Sequence, residues 1–372
     1  MKLCLVFNHF EKEHLGKDVF LTPYYLAKQY GYELEIVYRQ TKTNRQFPTS
    51  YRGVQLTPLK THFPFYHLWY FEWLIISCLY LRKNAKNIDI LMCFHIFFRT
   101  LLQTHVYKTY NSQGKVYVKM DLPQFIINKL KKREKSRFWN YLYKRFCREV
   151  SCCSIETTDC FKSLRKVYPF SSYADKFVFM PNGFDSELSV KMEINPLQFD
   201  QKKNIMITVG RIGTQQKNTE LLLEILGKIE IKEWKIYIIG NIEDKFKIKI
   251  TQFFKTYPHL KDSVYFTGQI TDKKELWSYF QIAKVFLLTS IWESYGLVLN
   301  EAVYFHDYVV TSDVGAARDI LQNKYGSILP LKSSSFEDKL QAIIDGNLDI
   351  NVYNKFDDSS IIWEKLVNKI KL

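Results

Sequence analysis

No C-x-x-C occurs among the seven cysteines, and their number is odd. A zinc site needs paired ligands at short spacing and a disulfide framework needs an even set, so neither is expected. Buried free thiols in a reducing compartment are expected instead. The sequence also lacks an RNP, zinc-finger or helix-turn-helix signature, an internal repeat and a low-complexity tract. The start, MKLCLVFNHF, has one lysine and an apolar run too short for a secretory core; it reads as a first buried strand. The one long apolar stretch, Phe63 to Leu81, is interrupted by Pro64, His67 and Glu72. It is therefore not expected to span a bilayer, and a helix lying in the membrane interface stays open. These absences give a cytoplasmic chain, peripheral on the inner membrane if it meets a membrane at all.

What is present is a large, aromatic and unevenly charged chain. Its 372 residues are 47% hydrophobic and 16% aromatic, enough for two cores. Residues 1–185 hold 29 Lys and Arg against 14 Asp and Glu, whereas residues 186–372 hold 24 of each. The whole net charge of +15 thus belongs to the first half. Such a surface attracts phosphates, whether of nucleic acid, anionic lipid or a lipid diphosphate.

Short apolar runs alternate with amphipathic stretches throughout. The first half gives strands at Lys2–Phe7, Glu33–Tyr38, Ile88–Phe94, Lys115–Met120, Glu149–Ser154 and Phe177–Met180. The second gives Asn204–Val209, Lys235–Gly240, Val264–Thr267, Val285–Leu288 and Tyr308–Thr311. Intervening helices make this an α/β chain of two Rossmann-like domains with parallel sheets. The expected division is 1–186 and 187–372, with 360–372 a basic amphipathic helix able to pack back on the first domain. Pro181-Asn182-Gly183 supplies the turn chemistry before the boundary.

Four constellations stand at strand-to-loop junctions of the second half. Gly210-Arg211 ends a strand, and Lys217 follows six residues after the arginine. Glycine lets backbone approach a ligand, and the two cations suit phosphate oxygens, although they equally fit a solvated loop. Glu293-Ser294-Tyr295-Gly296-Leu297 leads into a helix that carries Glu301, giving E-x7-E. The amides at that helix start suit an anion, and Glu301 sits among apolar residues where it needs a polar partner; an exposed helix face is the alternative. Asp313 to Asp319 is a further glycine turn, and Phe266-Thr267-Gly268-Gln269-Ile270 is a strand end able to face a nucleobase.

Residues 204–325 resemble the donor-binding half of the family 4 retaining glycosyltransferases (glycosyl transferases group 1) of the GT-B fold. The pieces are VGR with lysine six residues on, FTG, ESYGLVLNE and VGAARDI; FMPNGFD resembles the segment leading into the second domain. The resemblance implies two domains whose sheets face a central cleft. It implies a nucleotide-diphosphate sugar as co-substrate, UDP by preference, and a saccharide or lipid-linked saccharide acceptor in surface polysaccharide synthesis. Arg211 and Lys217 would hold the diphosphate, Glu293 the sugar, Ser294 to Leu297 the sugar and phosphate, Glu301 the ribose, and Gly268, Gln269 and Ile270 the base. Glu293, Arg211 and Lys217 are the catalytic candidates. No Asp-x-Asp occurs, so no metal or other cofactor is expected, and the two cations with a helix N-terminus would offset the leaving charge.

The acceptor half departs from the family pattern. A single Gly16 stands where two glycines are frequent, and Met120, followed by Asp121, stands where a histidine is frequent. His95, after another strand, is the substitute candidate, and a core histidine is its alternative. Lys129–Arg148 interleaves nine cations with aromatics and reads as a basic helix suited to an anionic membrane surface or to solvent. Three other readings stay open: a non-catalytic GT-B partner subunit, a sugar-nucleotide epimerase, and a basic nucleic-acid-binding protein, though no nucleic acid is expected.

Overall fold

The computed structural model describes residues 1–61, 66–354 and 356–372. Contacts divide the chain into two units, Met1–Asn182 with Trp363–Leu372, and Gly183–Ile362. The first boundary thus falls after Asn182 instead of after 186, and the last ten residues belong with the beginning of the chain.

The first unit is built on an eight-stranded sheet. Its strands are β1 (Lys2–Phe7), β2 (Glu33–Arg39), β3 (Ser50–Tyr51), β4 (Val54–Leu59), β5 (Ile90–Phe94), β6 (Lys115–Met120), β7 (Cys152–Ile155) and β8 (Phe177–Phe179). They lie in the order β3-β4-β2-β1-β5-β6-β7-β8. All pairs are parallel except the β3–β4 hairpin. Runs such as Leu3-Cys4-Leu5-Val6 are buried on both faces, as a helix-covered parallel sheet requires. Helices α1 (Asp18–Tyr30), α2 (Tyr66–Asn84), α3 (Phe98–Tyr110), α4 (Gln124–Arg133), α5 (Arg137–Glu149) and α6 (Thr158–Leu164) supply the cover.

The strand placed at Glu149–Ser154 begins at Cys152, because Glu149 closes α5. The single basic helix over Lys129–Arg148 is two helices. Ser136 starts the second by accepting a bond from the Trp139 amide at 3.4 Å, so α4 ends and α5 begins around it. Strand β4 was not expected: its buried residues alternate with exposed ones and it contains Pro58, tolerated close to the sheet's edge. The expected helix over 360–372 is one short helix, Trp363–Leu366, followed by a single turn. Trp363, Leu366, Val367 and Ile370 are nonetheless fully buried with Phe20, Tyr25 and Leu26, and the Tyr30 hydroxyl donates to the Ile370 carbonyl at 3.0 Å. Of the aromatic stretch Phe63 to Leu81, residues 62–65 lie outside the described ones.

The second unit holds six parallel strands: β9 (Lys203–Val209), β10 (Lys235–Ile239), β11 (Val264–Gly268), β12 (Ala283–Leu288), β13 (Tyr308–Ser312) and β14 (Gly326–Leu329). Their order is β11-β10-β9-β12-β13-β14. Its helices are α7 (Ser186–Lys191), α8 (Thr219–Leu226), α9 (Asp244–Thr256), α10 (Lys273–Ile282), α11 (Leu297–Tyr304), α12 (Ala317–Leu321) and α13 (Ser333–Ile344). The four-residue strand β14, half-buried at the edge, is an addition to the five expected. All seven cysteines are free and all but Cys78 are buried. No helix among the described residues is long and apolar enough to cross a membrane.

One ionic contact lies wholly inside the second unit. Lys202 and Asp307 are both fully buried, 2.6 Å apart, and Lys202 Nζ also donates to the Ala283 carbonyl at 2.6 Å. Removing one partner strands the other charge in apolar surroundings. Lys202→Met is expected to cost about 3–5 kcal/mol in urea unfolding, and adding Asp307→Asn should recover part of it.

Candidate active site

In a parallel sheet with helices on both faces, ligands bind beyond the carboxyl ends of the strands, where the strand order reverses. In the second unit the chain moves outward from β9 to β10 and β11, then returns to the other side of β9 as β12. The reversal falls between β9 and β12. The loop after β9 carries Gly210, Arg211 and Lys217; the loop after β12 carries Glu293.

The side chains meet across that gap. Lys217 Nζ contacts Glu293 Oε1 at 2.6 Å, and Ser290 Oγ donates to the same oxygen at 2.6 Å. Gln216 Nε2 donates to Glu293 Oε2 at 3.1 Å and to the Trp292 carbonyl at 3.2 Å, while its own carbonyl accepts from the Ile291 amide at 2.8 Å. Arg211 Nη2 donates to Gln216 Oε1 at 3.0 Å. Thr289 Oγ1 donates to the Lys217 carbonyl at 3.2 Å. Arg211, Lys217 and Glu293 are thus joined through Gln216, with Ser290 behind. Sequence reasoning missed Gln216, whose relevance exists only once the two loops lie side by side, and Ser290, which lies on the same loop as Glu293.

Two glycines fix the backbone here. A Cβ on Gly240 (φ +146°) would fall 1.7 Å from the Gly210 carbonyl, so the loop after β10 can press against that after β9 only with glycine. Gly315, with φ +54°, brings the turn after β13 against Tyr295, where a Cβ would fall 2.3 Å from the carbonyl oxygen. The Ala316 amide donates to that same oxygen at 2.8 Å. Tyr295 is buried, and Gly296 turns the chain into α11 with φ +89°. In the Asp313–Asp319 turn, Arg318 forks onto Asp313 at 2.8 and 2.5 Å.

Glu301, inside α11, is bonded to Trp277 Nε1 at 3.0 Å and to Lys273 Nζ, both from α10. Its expected polar partner therefore already exists in the protein, and sequence reasoning named neither residue. Gly268, with φ +74°, ends β11 and its carbonyl accepts from the Gly240 amide at 2.9 Å; Gln269 is exposed and Ile270 half-buried beyond it.

The first sheet reverses between β1 and β5, and a second polar cluster gathers near that point. Lys119, buried on β6, contacts Asp18 at 3.0 Å and Glu156 at 2.9 Å; the Asn182 side chain donates to Glu156 at 2.8 Å. Asp121 shares a side-chain hydrogen bond with Glu156, and its Oδ1 is buried without a partner. His95 follows β5 with φ +60°; its imidazole bonds to the Asp121 main chain and its amide donates to the Lys119 carbonyl at 2.8 Å. His95 and Asp121 thus belong to one network. Lys119, Glu156 and Asp18 were missed, because their sequence signal is that of ordinary surface charges. Met120 is fully buried in the core. Gly16 stands exposed in a helical turn with room for a Cβ, so its local geometry does not call for glycine. Among the described residues no three His, Cys, Asp or Glu groups are arranged to hold a metal ion.

Burial pushes the Glu156 carboxyl up to about 8; Lys119 opposes this and the Asp121 carboxyl adds to it. Burial also raises Asp121 and lowers His95, while Lys119 outweighs burial at Asp18 and holds it down.

The family described as glycosyl transferases group 1 matches residues 190–360, within the second unit. The resemblance read in the sequence therefore holds there. Among curated proteins, the chain is 33% identical over 104 residues to the amylovoran biosynthesis glycosyltransferase AmsD of Erwinia amylovora, a stretch that is 28% of each chain. The aligned part thus spans under a third of that relative's length. Among solved structures, the lipopolysaccharide outer core galactosyltransferase WaaB superposes with a TM-score of 0.65 at 13% identity, covering 99% of this chain and 98% of that one. HepE of Anabaena, solved with UDP-glucose, gives 0.63 at 13% identity over 99% and 98%. At these identities the superpositions speak for the fold, an α/β fold of the GT-B class.

The polar cluster of the first unit gives a pH prediction. A carboxyl whose folded pKa is raised keeps its proton while the unfolded chain loses its own, so this contribution declines as pH rises from 4.5 to about 8. Glu156→Gln removes it. Urea unfolding should show the variant gaining stability relative to the parent protein across that window.

Proposed function

We propose that the protein is a retaining glycosyltransferase that moves a hexosyl group from a nucleotide-diphosphate sugar, UDP by preference, to a saccharide or lipid-linked saccharide in surface polysaccharide synthesis. The observation that carries this reading is the Lys217–Glu293 pair, joined to Arg211 through Gln216 at the reversal of the second sheet. The solved complex of HepE with UDP-glucose, on the same fold, supports the choice of nucleotide. AmsD and WaaB, by their names, support the polymer context.

The chemistry follows from charge. Breaking the bond between the anomeric carbon and the diphosphate leaves negative charge on the departing phosphate. Arg211 and Lys217 meet it, helped by the amides at the start of α11. Glu293 holds Lys217 in place before the donor arrives and then faces the sugar. Glu301, oriented by Trp277 and Lys273, takes the ribose hydroxyls. Gly268 to Ile270 face the base. The acceptor hydroxyl bonds to the anomeric carbon on the face the nucleotide leaves, and its proton leaves with the nucleotide diphosphate. This reading requires no metal or other cofactor. His95, Asp121 and the Lys119 network are its acceptor-side candidates.

Thermal unfolding against UDP, GDP, ADP and a random oligonucleotide in magnesium-free buffer tests it. One nucleotide at a hundred times its dissociation constant should stabilise the protein by about 2.7 kcal/mol. Arg211→Ala should abolish the shift. A shift from the oligonucleotide alone would replace this reading with a basic nucleic-acid-binding protein. With a donor in hand, Lys217→Met and Glu293→Gln should each lower turnover by about 10²–10³-fold, the scale of losing one electrostatic stabiliser; unchanged turnover would place the catalytic groups elsewhere, and no turnover by the parent protein would favour a non-catalytic partner subunit.

A further inference from the structure

Helices α2, α3, α4 and α5 of the first unit enclose a cavity of about 220 Å³. Ile96, Phe98, Ile126 and Leu130 give it apolar walls, and Trp139 lines it from α5. Three cations stand at the same cavity. Arg133 lies over the Trp139 ring at 3.9 Å and donates to the Tyr143 hydroxyl at 2.8 Å. Lys129 is exposed. Arg99 lies over the Phe97 ring at 4.7 Å and hydrogen-bonds to Tyr70. No carboxylate pairs with Arg99 among the described residues, and burial lowers its pKa from the ordinary arginine value. A guanidinium drawn out of water without a counter-charge is costly unless an anion joins it.

The helices around this cavity leave apolar side chains in solvent. On α2, Phe71, Ile75 and Leu79 recur every fourth residue and are 61%, 59% and 55% exposed. Phe125 on α4 and Phe138 and Tyr141 on α5 are also more than half exposed. Lys131, Lys132, Lys135 and Arg137 surround the junction of α4 and α5. A run of apolar groups in water marks an interaction surface, and basic residues among them select a partner that is both greasy and negative. A nucleic acid would use the cations and leave the cavity empty, and free phosphate has no use for apolar walls. The space is also smaller than the roughly 300–1,000 Å³ of sites that enclose a drug-sized molecule, so it suits a length of chain.

We propose that this cavity takes the hydrocarbon chain of an anionic lipid, with Arg99, Lys129 and Arg133 on its phosphate and the α2 stripe resting on the bilayer surface. The inference deepens the reading of a lipid-linked acceptor and rests on it for the reason such a lipid is bound.

The test uses the purified full chain with dodecyl phosphate, inorganic phosphate and the uncharged detergent dodecyl maltoside, each below its micellar concentration, read by calorimetric titration. Dodecyl phosphate should bind, and the other two should not. Arg99→Met should weaken it about tenfold, or 1.4 kcal/mol. Ile126→Trp, which fills the cavity and keeps every cation, should abolish binding, and circular dichroism checks that both variants are folded. Sedimentation should bring the parent protein down with phosphatidylglycerol vesicles and not with phosphatidylcholine vesicles, with Ile126→Trp reducing recovery. Failure to bind dodecyl phosphate, equal affinity in parent and variants, equally tight inorganic phosphate, or vesicle binding untouched by Ile126→Trp would each overturn the proposal. UDP binding on the same samples reports separately on the nucleotide site, so its loss with dodecyl phosphate retained would count against the proposed donor and not against the lipid cavity.

Discussion

Two loops that follow β9 and β12 lie side by side because the sheet reverses between those strands, and the Lys217–Glu293 contact closes the space between them. Much of the second unit's carboxyl edge depends on that contact. It orders Gln216, which in turn holds Arg211 and the backbone at Ile291 and Trp292. The lysine that would meet the diphosphate in the proposed reaction is thereby fixed by a carboxylate that is itself largely shielded from water. Holding such a charge in position beforehand removes reorganisation that would otherwise accompany the reaction.

The first unit uses the same topological opportunity differently. Its cluster is buried, and one lysine sits between two carboxylates drawn from distant parts of the chain, with Asp121 beside them. Three acids around one cation cannot all ionise at low cost, so a proton is retained there near neutral pH. A polar centre of this kind is costly for stability alone. That cost is the physical reason for reading the cluster as more than packing.

The strand–helix alternation was legible because buried parallel strands are written as nearly continuous apolar runs, and β1, β6 and β13 show this plainly. The strands at or beside a sheet edge were not: β4 alternates and contains Pro58, and β14 is four half-buried residues. The cations and carboxylates of the second unit were legible from order and spacing. Gln216, Lys273 and Trp277 were not, because each matters only through a contact dozens of residues away in sequence. Lys119 was hidden differently. It occupies an inward position of a strand, where a charged residue contradicts the pattern, and only its partners explain it. The basic stretch after Lys129 carried its composition openly, but the break at Ser136 turns on one short side chain.

The first unit is discontinuous in sequence. Phe20, Tyr25 and Leu26 lie in the core that Trp363, Leu366 and Ile370 complete, and those three follow the whole of the second unit in sequence. Domains usually fold in the order in which they leave the ribosome. Here that order is inverted: the second unit can close while the first still waits, its core open to solvent, for the segment that follows the second unit. Losing residues 363–372 would therefore undo the unit that was synthesised first.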